Sequence, residues 1–186
     1  MKRMLNSFAT MAALAALLPM TAADAANWPA RSAATPVTQA RGYVNIPDAA
    51  VPRDPAHAYK ALFDATGAPK DPAKPHDSFV RVGSLINALS QANVPAGNIR
   101  FVMVFHGPSV DALLTDERYR AKYNMANPNH AIIAELKRAG VQIFVCGQYM
   151  AGTDLAREAL IPDAKVAESA TLVIMRYAND GYAVFE

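Results

Sequence analysis

Two almost unbroken apolar runs, Ile99–Phe105 and residues 141–146, limit what this chain can fold into. A strand with one wet face alternates apolar and polar residues, whereas these runs fit strands covered on both faces, as in parallel sheets. Around them the spacing turns helical. Phe79, Val82, Leu85, Ile86 and Leu89 recur at three and four, which predicts a helix whose apolar face covers a sheet. Asn127 and Pro128 supply an N-cap and a first-turn proline for a helix marked by Ile132, Ile133 and Leu136 that stops at Gly140.

The other elements are weaker signals of the same alternation. A first strand is expected over 58–63, ending at Asp64, followed by a Pro-punctuated loop to His76. A short helical segment is expected over 110–114. Another helix starts at Gly152 or Thr153, with Thr153 the better cap, and runs to Ala159. Residues 165–167 read as a short strand, 169–178 as a helix with Leu172, Val173 and Met175 inward, and 182–185 as a last edge strand after Gly181. The fold class is therefore α/β: an open, mostly parallel sheet with helices on both faces.

This pattern occupies only part of the 186 residues. Residues 1–25 read as a secretory signal peptide: Lys2 and Arg3, an apolar run over 8–18, and small residues up to Ala25. The run is too short for stable membrane insertion, so the expected location is the periplasm. Residues 26–56 form a Pro/Ala-rich arm with no sustained period, in which the stretch after Gly42 is expected to lie against the domain or a neighbouring subunit. Residues 57–186 are the folded domain. After cleavage about 160 residues remain, enough for one domain with a real core.

Charge argues against one partner class. The net charge is +2, with Lys and Arg scattered along the chain. No basic cluster with interleaved aromatics marks a nucleic-acid surface.

Ligands of open parallel sheets gather beyond the carboxyl ends of the strands, and Asp64, His106 and Cys146 all fall at such ends. Cys146 is the single cysteine, so the domain has no internal disulfide, and a free thiol in an oxidising compartment invites sulfur chemistry. As a thiolate it is a nucleophile, favoured by amides at Gly147 and Gln148 and by a nearby His106. Gly107 lets a ligand approach the backbone beside His106, and Tyr149 next to the thiol fits a pocket wall. Asp64, Gly107, Gly147, Gln148 and Tyr149 are thus the candidate pocket. The competing reading of Cys146 is an inert, packed thiol. Tyr119, Tyr123 and Met125 read either as pocket or subunit-contact residues or as ordinary helix packing. His57, His76 and His130 have loop or surface explanations. No cofactor is expected, since neither the dinucleotide-binding nor the phosphate-loop glycine pattern occurs. No metal site is expected either, because Cys146 and His106 lack the further ligands zinc requires.

At His106-Gly107-Pro108, Asn127-Pro128-Asn129 and Val145-Cys146-Gly147-Gln148 the chain resembles the DsrE/DsrF-like family, most closely its exported single-domain members, from about His57 to Phe185. The resemblance implies a parallel α/β domain that forms a homo-oligomer, with a trimer favoured. It implies further that Cys146 carries sulfur as a persulfide, with His106 lining the same pocket. The partners it implies are inorganic sulfur species or a periplasmic sulfur-transfer protein. The alternative function is a non-catalytic oligomeric module that binds a small ligand or another protein.

Overall fold

The computed structural model describes residues 28–186, so the signal peptide expected over 1–25 lies outside the described residues. The chain alternates as expected: β1 (Tyr59–Ala65), α1 (Asp77–Gln91), β2 (Ile99–Phe105), α2 (Asp116–Tyr123), α3 (His130–Arg138), β3 (Gln142–Cys146), α4 (Gly147–Gly152), β4 (Lys165–Ala167), α5 (Ala170–Asn179) and β5 (Ala183–Phe185). A tight 3-10 segment, Gly107–Leu113, leads from β2 towards α2. The strands form one sheet in the order β4-β3-β2-β1-β5, and every pairing is parallel. No helix among the described residues is long and apolar enough to cross a membrane.

Strand order and handedness together place the helices. From β1 to β4 the chain steps in one direction, then returns across the sheet to put β5 beside β1. Right-handed crossovers set the helices of the outward steps on one face and the helix of the return step on the other. The larger core follows: Phe63, Phe101, Met103, Phe105, Ile143 and Val145 meet Phe79, Val82, Ile86, Ile132, Ile133 and Leu136 of α1 and α3. Across the sheet, Leu62, Val102, Val104 and Cys146 meet Ala170 and Val173 of α5. Because side chains alternate along a strand, even-numbered residues of β1, β2 and β3 point towards α5.

The arm lies against its own domain. Val37 is fully buried, and Asn87 of α1, itself at 0% exposure, bonds the Val37 amide (2.8 Å), the Val37 carbonyl (2.9 Å) and the Arg41 carbonyl (3.0 Å). Glu135 of α3 accepts from the Thr38 hydroxyl and from the Gln39 amide. Gly83 makes room: a Cβ there would come within 2.7 Å of Ala40 and 2.8 Å of Val37. A mid-helix glycine costs about 1 kcal/mol against alanine, offset here by the seat it gives the arm.

Several local expectations are corrected. The helix expected from Gly152 or Thr153 to Ala159 is replaced by α4, which starts directly at the strand exit with Cys146 as its N-cap residue. Thr153 is the C-cap of α4, Asp154 takes a left-handed φ of 53°, and only a 3-10 turn, Arg157–Ala159, follows. On α5, Leu172 and Met175 face outward at 52% and 55% exposure, while Ala170 and Val173 are buried. Ile174 and Tyr177 complete that inner face, as the 3.6-residue period requires. The helix before Gly140 begins at His130 with Asn129 as N-cap. Asn127 instead turns inward, donating to the carbonyls of Ala112 (3.1 Å) and Leu114 (2.7 Å) and accepting from the Asn129 amide (3.0 Å).

Candidate functional site

β1, β2 and β3 are neighbours in the sheet, and their exits bring Asp64, His106 and Cys146 to one edge. The register pairs Asp64 with Val104 and Phe105 with Val145, so His106 and Cys146 each lie one residue beyond a matched pair. His106 keeps an extended backbone (φ −150°, ψ 167°). Since Val104 points towards α5, His106 two residues later does so too. All three side chains therefore share the α5 face, with His106 on the strand between the other two.

The geometry around His106 is built by the turn that follows it. Its amide donates to the Ala65 carbonyl at 3.0 Å, tying the exit of β2 to that of β1. Ser109, fully buried, shares its one hydroxyl proton between the Ala65 carbonyl and the His106 carbonyl (2.9 Å). Gly107 has a φ of +62°, a conformation in which L side chains are strained. The His106 ring is held in turn: Nε2 donates to Asp64 Oδ1 at 2.8 Å, with the histidine side chain 33% exposed and the aspartate 12%.

Cys146 is 7% exposed and free. It makes no side-chain capping bond to α4, and it packs in the same cluster as Ala170 in the first turn of α5. Gly147 is required sterically, since a Cβ would sit 2.7 Å from the Ala167 carbonyl oxygen of β4. Any larger residue would force the β3–α4 junction away from the sheet and shift the sulfur.

The expected pocket is not gathered as a whole. Asp64, His106, Gly107, Cys146 and Gly147 stand at the strand exits, Gln148 is exposed, and Tyr149 is half-buried. Tyr149 packs against the cluster that holds Cys146 and also lines a cleft of about 360 Å³ with Asp111, Leu114, Arg118, Lys122 and Thr153. A larger cleft, about 490 Å³, lies between the arm, α1 and β5 and contains none of the expected site residues.

Of the other singled-out residues, Tyr119, Tyr123 and His76 are held in packing and capping contacts. Tyr119 is fully buried, donates to the Pro72 carbonyl at 2.8 Å and packs on Tyr123 with ring centres 4.6 Å apart. Tyr123 donates to Asp111 Oδ2 at 2.6 Å, and burial, then that bond, push its phenol well above the usual tyrosine range. Met125 is 37% exposed. His76 is buried as the N-cap of α1: Nδ1 accepts from the Ser78 amide (3.2 Å) and Nε2 donates to the Gly67 carbonyl (3.0 Å). Sequence reading missed this cap, although Pro75 before it and Asp77 after it mark a helix start. It also missed Ser109 and the Asp64–His106 bond, which depends on strand order. Among the described residues no group of three or more His, Cys, Asp or Glu is arranged to hold a metal ion.

Comparison with known proteins bears on the same region. The chain has no significant match among curated proteins. Solved structures that resemble it at low identity include these two. One is the protein of unknown function MTH1491 from Methanobacterium thermoautotrophicum, 20% identical, with a TM-score of 0.46 over 68% of this chain and 97% of that one. The other is the ychN protein from E. coli, 16% identical, with a TM-score of 0.46 over 68% of this chain and 99% of that one. The profile of the DsrE/DsrF-like family matches residues 62–186, well over half of the chain. That span opens within β1 and takes in Asp64, His106 and Cys146, and the chain belongs to the DsrE/DsrF-like family.

Proposed function

We propose that this protein handles sulfane sulfur in the periplasm, accepting it on Cys146 as a persulfide and passing it to an acceptor. The observation that carries the reading is the convergence of His106 and Cys146 at adjacent exits of a parallel sheet, on one face. Family membership supports it, since the resemblance noted from the sequence includes members that carry sulfur on a cysteine. The leader-like residues 1–25 support the location, and the same resemblance supports a homo-oligomer, with a trimer favoured.

The step balances without an added oxidant. Cys146 gives its thiol proton to His106 and, as thiolate, attacks the outer sulfur of a donor R–S–SH. The new Cys146 S–S bond forms as the donor S–S bond breaks, and the electron pair leaves with RS⁻, which takes the proton back from His106. The products are Cys146–S–SH and RSH. With thiosulfate as donor, sulfite leaves instead. The first turn of α5, packed beside Cys146, offers the positive end of a helix to the anionic sulfur.

A second reading rests on a specific observation. Cys146 is only 7% exposed, as in a packed thiol of a non-catalytic oligomeric module that binds a small ligand or a protein. Iodoacetamide separates the two. The sulfur-handling reading expects the native protein at pH 7 to be alkylated at Cys146 at a rate comparable with that of the unfolded chain. Alkylation slowed a hundredfold or more by folding would favour the module.

A further inference from the structure

The bond between Asp64 and His106 says more than that the ring is fixed. We infer that Asp64 is a positioning residue that keeps the neutral His106 proton on Nε2 and reserves Nδ1 for the Cys146 thiol, an inference that rests on the sulfur-handling reading. A carboxylate only accepts hydrogen bonds. The nitrogen 2.8 Å from Asp64 Oδ1 therefore bears the proton, and that nitrogen is Nε2. The lone pair of the neutral ring is then on Nδ1, which makes no hydrogen bond among the described residues.

Position supports the same division of labour. The strand order β3-β2-β1 sets His106 between Cys146 on one side and Asp64 on the other, all on the α5 face. Neighbouring strands lie about 4.8 Å apart, so Asp64 and Cys146 stand on strands that flank the one carrying the ring, and the ring's bond to Asp64 leaves Nδ1 as the nitrogen available to the β3 side. When the Cys146 S–H bond breaks, its proton joins Nδ1, the electron pair stays on sulfur, and the imidazolium keeps its Nε2–H bond to Asp64. The Asp64 carboxylate, in a side chain 12% exposed, stays hydrogen-bonded to Nε2–H throughout.

The buried histidine, His76, shows the contrast. Both nitrogens of His76 are committed to the backbone, which suits a cap and leaves nothing for proton transfer. Among the described residues His106 has one nitrogen tied to a carboxylate and one without a hydrogen-bond partner, the arrangement that orients a general base.

The test reads the tautomer directly. A long-range proton–nitrogen NMR spectrum of the full chain, labelled with ¹⁵N histidine and recorded at a pH where the ring is neutral, is expected to show His106 protonated on Nε2. Asp64→Asn, whose amide can either accept or donate, is expected to give a mixture of tautomers and to slow iodoacetamide alkylation of Cys146 about tenfold at pH 7, with Asp64→Glu recovering part of the rate. A wild-type His106 protonated on Nδ1 would overturn the proposal, and so would an Asp64→Asn protein with unchanged tautomer and unchanged alkylation. The wild-type spectrum needs no variant to fold and no sulfur donor. A protein with the Nε2–H form that takes no sulfur therefore keeps the assignment of Asp64 and loses only the sulfur-handling reading.

Discussion

Asn87 and Cys146 are both buried polar side chains, yet the structure uses them in opposite ways. Asn87 spends its amide on three backbone groups of the arm, whereas the Cys146 thiol is left without a capping bond. Truncating Asn87 leaves two carbonyls and an amide without partners, and each such loss costs about 1 to 3 kcal/mol. Asn87→Ala is therefore expected to lower unfolding stability by about 3 kcal/mol in urea titration and to expose residues 31–42 to protease. An unchanged midpoint would mean that the arm is not part of the cooperative unit. At this scale the sequence was informative about which residues stand at strand exits, because a strand's end is a local signal. It was silent on Asp64 meeting His106, which needs the order of strands 42 residues apart. It placed Gln148 and Tyr149 beside the thiol: Tyr149 packs against the cluster that holds Cys146 and also lines a second cleft, while Gln148 is exposed because α4 begins at once after Cys146.

Among the elements, α5 shows where periodicity was legible and where it was not. Its existence followed from Ser169 and Gly181 at its ends, and Ser169 indeed caps it by accepting from the Leu172 amide at 3.1 Å. Its inner face did not follow, because Leu172, Val173, Ile174 and Met175 are consecutive apolar residues from which either stripe can be drawn. The structure chooses Ala170, Val173, Ile174 and Tyr177. Val173→Ala is thus expected to cost about 2 kcal/mol, while Leu172→Ser, at a 52% exposed position, changes chain stability by no more than about 0.5 kcal/mol. Equal losses for the two in thermal unfolding would put the wrong face on the sheet. α4 was misplaced for a related reason. A six-residue helix is too short to show a period, and the Gly152-Thr153 pair that resembles a start is its end.

For the molecule as a whole, the sheet, its parallel sense and its two covered faces were readable because both central strands are apolar nearly throughout. The return of β5 to the side of β1 was not, since nothing local encodes it. One titration probes how the layers are held. Tyr123, the last residue of α2, has its phenol raised, by burial first and by its bond to Asp111 second. A folded-state value above the unfolded one makes its contribution complete below about pH 10 and lost as pH rises beyond it. The alkaline loss of stability is expected to be smaller in Tyr123→Phe, and identical curves for the two proteins above pH 10 would contradict this. Sulfur transfer to Cys146 is read most directly by intact mass spectrometry after incubation with thiosulfate or a low-molecular-weight persulfide. A gain of about 32 Da is expected that reductant removes and that Cys146→Ser lacks, reductant sensitivity separating it from sulfinic oxidation of nearly equal mass. An unmodified native protein, or a gain that survives reductant or persists in Cys146→Ser, would contradict it.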